Sequence, residues 1–235
     1  MARPVEIILF VVSAALQTLA GKPDLYFFTP SPPCRVVMMT AKVLGADLNL
    51  KMTDIMNGDQ LKPEFLKINP QHTVPTFDDN GFVLSESRAI AAYLAETSPN
   101  GEKIYPKDPK KRALIEQMLY FDIGRLYQNF LDLYKPMLKG KPFDDALGKT
   151  FDESLAMFEE YLTRTQWAAG DQMSIADLSL MATVTTAEAV GHDFSKYPKI
   201  KQWMDKTKSA IPDYQMANQD GVEIWKSMFA NVKKN

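Results

Sequence analysis

The chain is poor in the residues that hold metals and cross-links. A single cysteine, Cys34, and two histidines, His72 and His192, are all it has of the usual soft ligands. One cysteine excludes an internal disulfide framework, and so few soft ligands fall short of a zinc constellation, so no metal is expected. An excess of charge is also missing: 27 Lys and Arg stand against 29 Asp and Glu, a net charge of −2. That balance gives no electrostatic reason to expect nucleic acid or an acidic membrane as partner. What is present is ordinary for a globular protein, 46% hydrophobic and 24% charged over 235 residues. This is chain enough for a sizeable core in one domain or two small ones.

The first 23 residues stand apart. Arg3 precedes the apolar run Ile7-Ile8-Leu9-Phe10-Val11-Val12, and small residues lead on to Thr18-Leu19-Ala20. A basic start, a short apolar stretch and small residues at its end form a signal-peptide pattern with cleavage after Ala20. The run is short for a membrane span, Gln17 interrupts it, and Glu6 weakens the basic start. A signal or anchor, an alternative start, and an apolar helix resting on the protein all remain open.

From Asp24 onward two halves follow. Leu25–Phe28 and Leu48–Met52 are strand candidates, separated by a helical pattern that ends near Gly45. Leu61–Ile68 is a short helix. Val74–Phe77 and Phe82–Leu84 flank Asp78-Asp79-Asn80-Gly81, a hairpin signal. A helix from Glu86 to Glu96 completes the order βαβαββα, an α/β unit with a mixed sheet over residues 24–97. Residues 98–108 are polar and turn-rich, a linker. Residues 109–235 carry only helical spacing: Lys110–Lys139 with Gly124 as a weak point, Asp144–Thr165, a helix opened by the capping-box variant Ser174-Ile175-Ala176-Asp177, then Lys199–Ser209 and Gly221–Val232.

One segment of the first half carries chemistry on its face. In Asn69-Pro70-Gln71-His72-Thr73-Val74-Pro75-Thr76-Phe77, Pro75 cannot serve a central strand, so the chain there suits an edge or a turn. Val74 is biased to an extended backbone that can pair with an extended peptide. Ser85-Glu86-Ser87 then opens a helix, and a helix N-terminus is a ready site for a carboxylate. A peptide-pairing edge beside an anion-binding helix start points to a small acidic peptide as ligand. Ser31, between the first strand and first helix with Pro32 after it, is by local pattern an N-cap.

With Ser31-Pro32-Pro33-Cys34-Arg35, Asn69–Thr76, Glu86-Ser87-Arg88-Ala89-Ile90 and Ser174-Ile175-Ala176-Asp177-Leu178 in this order, the chain resembles a cytosolic-type glutathione S-transferase over about residues 24–230. The Ser-Pro-Pro-x-Arg start and Leu126-Tyr127-Gln128 resemble the insect delta and epsilon classes. The resemblance implies a thioredoxin-like α/β domain followed by an all-α domain, glutathione as co-substrate, a homodimer and a cytoplasmic location. It implies that Ser31 donates a hydrogen bond to the glutathione thiolate, the reactive form of a thiol. Gln60, His72, Thr73, Val74, Pro75, Glu86, Ser87 and Arg88 then form the glutathione site, with Pro75 after a cis bond. Gln60 stands where the delta pattern often has His, so it can hydrogen-bond the peptide without carrying charge. Cys34, one turn into the helix, is expected to be a buried structural thiol rather than a nucleophile.

The electrophile pocket is expected between the halves. Met118, Phe121, Tyr127, Phe130 and Leu131 are its candidates, with Tyr134, Trp225 and Phe229 behind them, although such a stripe is also what a helix buries in a core. Lys135 replaces a tyrosine often found there, which could admit an acidic substrate group. The expected reaction is conjugation of glutathione to hydrophobic electrophiles, as in detoxification. The alternatives are glutathione-dependent peroxide reduction or isomerisation on the same site, a non-catalytic carrier of hydrophobic ligands, and a scaffold domain.

Overall fold

A computed structural model describes residues 21–232. The signal-like run of residues 1–20 lies outside the described residues. Strand β1 (Asp24–Phe27), helix α1 (Pro32–Leu44), β2 (Asn49–Met52), α2 (Pro63–Ile68), β3 (Thr76–Asp79), β4 (Phe82–Ser85) and α3 (Ser87–Thr97) follow in the order expected. The sheet runs β2-β1-β3-β4, with β1 parallel to β2 and antiparallel to β3, and β3 antiparallel to β4. The α1 crossover makes the parallel pair possible, since parallel strands need a long connection. The β3–β4 hairpin closes through Asn80 and Gly81, both at positive φ (53° and 96°). Two successive positive φ angles are what a two-residue turn matching the strand twist requires.

The strand expected from Val74 begins two residues later, at Thr76. Val74 and Pro75 are joined by a cis peptide bond and stand just before the ladder. The short helix expected from Leu61 begins at Pro63, after a 3₁₀ turn over Asp59–Leu61. Pro63 at the first helical position explains the shift, because its fixed φ suits a helix start.

Beyond residues 98–108 the described chain is helical: α4 (Pro109–Phe121), α5 (Tyr127–Met137), α6 (Asp145–Arg164), α7 (Ile175–Ala189), α8 (Pro198–Ala210) and α9 (Asp220–Val232). The single long helix expected over Lys110–Lys139 runs from Pro109 to Met137, with one π-helical turn at Asp122–Leu126 that contains Gly124. A second π turn, Gln215–Gln219, precedes α9. Helix α7 is buried from Ile175 through Ala187, as a helix in the centre of a bundle must be. Its start carries the expected box. Asp177 accepts from Ser174 N and Oγ, from Ala168 N and from Trp203 Nε1 at 2.8–3.0 Å. The halves join where α1 packs on α3 on one side and on α7 on the other.

Candidate functional site

The turn before β3 is braced from inside. Asn69 is buried, and its Nδ2 donates to Thr73 O at 3.2 Å and to Thr76 Oγ1 at 2.8 Å. Thr76 Oγ1 donates in turn to Thr73 O at 2.8 Å. These bonds fix the backbone from residue 69 to 76 and leave Val74 beside the ladder rather than in it. His72 and Thr73 are exposed, and His72 holds a positive φ of 45°. Gln60 is half-buried. Its Nε2 donates to Ile55 O at 3.4 Å, while its Oε1 is buried and finds no partner among the described residues.

Helix α3 starts without a side-chain cap. Its first flanking residue, Glu86, is exposed and sits at φ 69°, ψ 104°, a strained backbone for a residue with a Cβ. Ser87 follows, 3% exposed, and its Oγ has no hydrogen-bond partner among the described residues. A buried hydroxyl without a partner is uncommon and calls for an explanation. Here it stands among the free N–H groups of a helix N-terminus, where negative charge is favoured. An anionic acceptor would satisfy both.

Arg88 adds charge beside that start. Its Nη2 lies 2.5 Å from Oδ2 of Asp122, which is wholly buried and also accepts from Ser179 Oγ at 2.5 Å and Thr183 Oγ1 at 2.8 Å. The guanidinium also stands over the Tyr127 ring, 5.8 Å from its centroid. Arg88 is therefore anchored through the first π turn and α7, and its Nε finds no partner among the described residues. Nothing in the sequence pairs Arg88 with Asp122. The one available signal was an aspartate in the otherwise apolar stretch around Leu119 and Phe121.

Ser31 caps α1, accepting from Cys34 N at 3.4 Å. Pro32 and Pro33 occupy the first two helical positions and have no N–H, and Arg35 N is bonded to Ser31 O at 3.1 Å. No backbone donor of this turn is left for a ligand sulfur. Capping uses one lone pair of Ser31, so its O–H remains free to donate. The capping role and the donor role are thus compatible. Cys34 points inward, fully buried, and accepts from Phe28 N at 3.4 Å. Burial pushes its thiol up to about 11, so it is not a thiolate at neutral pH.

Arg35, four residues after Ser31, is also buried. It donates to Asn218 Oδ1 at 2.6 Å, to Ala182 O at 3.3 Å and to Thr186 Oγ1, all uncharged. Burial lowers it to about 10, still cationic at neutral pH.

The aromatic stripe divides. Met118, Phe130, Tyr134 and Phe229 are closed into the core, each 3% exposed or less. Phe130 stacks among Tyr127, Tyr134, Phe151 and Trp225, and Tyr134 against Phe229 and His192. Phe121 turns to Phe158 and Tyr161 on α6. Tyr127, Leu131 and Trp225 are half-buried; Tyr127 meets Arg88 and Trp225 meets Pro30 of the first half, whereas Lys135 is exposed. Burial raises the Tyr127 phenol, and the charges of Arg88 and Arg35 oppose that rise. Among the described residues no cluster of His, Cys, Asp or Glu could hold a metal ion.

Comparison with known proteins agrees with this architecture. Residues 25–103 match the glutathione S-transferase N-terminal domain, and residues 127–209 match the C-terminal domain. Glutathione S-transferase D7 of Anopheles gambiae is 41% identical over 215 residues, 90% of this chain and 99% of that one. A delta-class glutathione transferase of Nilaparvata lugens superposes with a TM-score of 0.87 at 47% identity, over 89% of this chain and 99% of its own. An epsilon-class glutathione S-transferase of the housefly, Musca domestica, superposes at 0.85 with 34% identity, over 90% and 98%. The chain belongs to the glutathione S-transferase family, and its neighbours are the insect delta and epsilon classes.

Proposed function

We propose that the protein conjugates glutathione to hydrophobic electrophiles, with Ser31 donating a hydrogen bond to the thiolate. The observation that carries the reading is the start of α3. A strained Glu86, a partnerless buried Ser87 hydroxyl and free helix N–H groups suit the γ-glutamyl carboxylate. Glu86 would face the ammonium of the same unit, and Arg88 its carboxylate. The backbone of Val74 would pair with the cysteinyl unit, with Pro75 setting the bend. His72, Thr73 and Gln60 would serve the glycyl end. Ser31, at the start of α1, would stand where the sulfur comes to rest. Oriented donation to a developing or resident anion is where such a site gains its rate.

The domain division follows the same logic: residues 24–97 hold glutathione, and residues 109–235 shape the second site. Half-buried Tyr127 and Leu131, four residues apart on α5, are the residues put forward to meet the electrophile. A homodimer is part of the proposal, and exposed Phe82 on β4 and Tyr120 on α4, 50% and 71% accessible, support it. Light scattering of the purified protein tests the dimer. A cytoplasmic location belongs to the proposal too. No helix among the described residues is long and apolar enough to cross a membrane. Fractionation of cells expressing the full chain tests the location.

The decisive experiment is Ser31→Ala. Loss of one oriented donor should cost about 10²–10³ in turnover of an aryl halide, with glutathione affinity changed only a few-fold. Unchanged turnover would remove Ser31 from the chemistry.

A further inference from the structure

The loop that carries Ser31 is held locally by Ser31 N donating to Phe28 O at 2.9 Å. A cavity of about 170 Å³ adjoins it at Thr29, lined also by Cys34, Arg35, Met38, Met216 and Ala217 among others. The loop is gripped as well by the last helix. Trp225 Nε1 donates to Pro30 O at 2.6 Å. One turn earlier, Gly221 approaches so closely that a Cβ there would stand 2.4 Å from Thr29 O and 2.6 Å from Arg35 Cδ. Before that, Asn218 accepts from Arg35 at 2.6 Å, and its Nδ2 donates to Tyr214 Oη at 2.7 Å and Thr185 Oγ1 at 3.2 Å. Residues 218, 221 and 225 are spaced three and four apart, so they share one face of the helical chain. That face meets Arg35, Thr29 and Pro30, which bracket Ser31 on both sides.

We propose that Trp225 and Gly221 are positioning residues for Ser31: α9 clasps the loop and fixes where the Ser31 hydroxyl stands. The inference rests on the reading of Ser31 above. Neither residue supplies a group to the thiol in this account. Trp225 fixes the carbonyl one residue before Ser31, and Gly221 sets how near α9 comes to the carbonyl two residues before it. Because open space adjoins the loop at Thr29, losing the clasp lets Ser31 drift, and a misplacement of about 1 Å is enough to cost about a hundredfold in rate. The pocket-wall role expected of Trp225 makes a different prediction: it would change the affinity for the electrophile and leave the glutathione thiol alone.

Trp225→Phe separates the two roles, because it keeps an aromatic ring against Phe130 and Phe229 while removing the N–H together with the smaller ring of the indole. The pKa of bound glutathione is followed by thiolate absorbance, together with kcat and KM for an aryl halide. With the clasp lost, that pKa should rise and kcat should fall about tenfold, the scale of one hydrogen bond, while KM for the aryl halide stays within about twofold. Gly221→Ala, which drives a methyl into Thr29 O, should act in the same direction and more strongly. In a Ser31→Ala background Trp225→Phe should add little, since residues acting through one another are not additive.

A raised KM with an unmoved thiol pKa would overturn the proposal in favour of a pocket wall. So would a full tenfold loss that persists without the Ser31 hydroxyl. If Ser31→Ala alone leaves turnover intact, the thiol-activation reading fails instead and takes this inference with it.

Discussion

Replacing Ser87 with Ala should strengthen the fold and weaken the site. The Ser87 hydroxyl is buried without a partner among the described residues, a state that costs about 1–3 kcal/mol. Alanine removes the oxygen, leaves no cavity of consequence and suits the first turn of α3. In the free protein the substitution should therefore be neutral or raise the melting temperature, by about 2–4 °C for each kcal/mol regained in a chain of this size. Binding should move the other way. A hydroxyl donating to a carboxylate contributes about 1.5–3 kcal/mol, so the dissociation constant for glutathione should rise about ten- to a hundredfold. The assay is a paired one: thermal unfolding without ligand, and titration calorimetry with glutathione on the same preparation. A purely capping serine gives the opposite pair, a lower melting temperature and an unchanged dissociation constant. That outcome would refute the reasoning.

Three further outcomes follow from buried groups. Cys34, with its thiol raised to about 11 by burial, should resist an aromatic disulfide reagent in the native protein and react with one equivalent after denaturation. Rapid native labelling would show the thiol to be accessible. Asp177→Ala strands the donors of Ala168, Ser174 and Trp203. It should cost about 3–5 kcal/mol, or roughly 10 °C in melting temperature, and a loss below 2 °C would contradict the account. His192 sits between Tyr134, 2.8 Å from its Nδ1, and Asp152, 3.0 Å from its Nε2, with Asp193 and Lys196 near. Burial lowers its pKa from the ordinary 6.5, against the opposing pull of Asp152. The native state then binds fewer protons than the unfolded one, so stability rises with pH across this window and is lost as pH falls below 6.5. The stabilising advantage of the wild type over His192→Gln should shrink between about pH 7.5 and pH 5, and a constant difference would remove His192 from the acid response.

The sequence by itself determined the order of elements and where most of them begin. The Asn80-Gly81 turn, the Ser31 cap and the Ser174/Asp177 box are each written within four residues. Backbone sterics and capping act over that distance, so a local pattern suffices. The motif segments at Ser31, Asn69–Thr76 and Glu86–Arg88 were legible for the same reason. Only the tertiary structure decided what those residues face. Arg88 meets Asp122 across 34 positions, Arg35 meets Asn218 across 183, and Trp225 reaches Pro30 across 195. The helical spacing of Met118, Phe130, Tyr134 and Phe229 marked a buried face but not whether a cavity or another helix would cover it. Local periodicity says which side of an element seeks an apolar neighbour, whereas packing of the whole chain chooses the neighbour. The scarcity of cysteine and histidine removed metals and disulfides from expectation at the outset. The partners of one buried arginine and one tryptophan became visible only once distant parts of the chain were packed together.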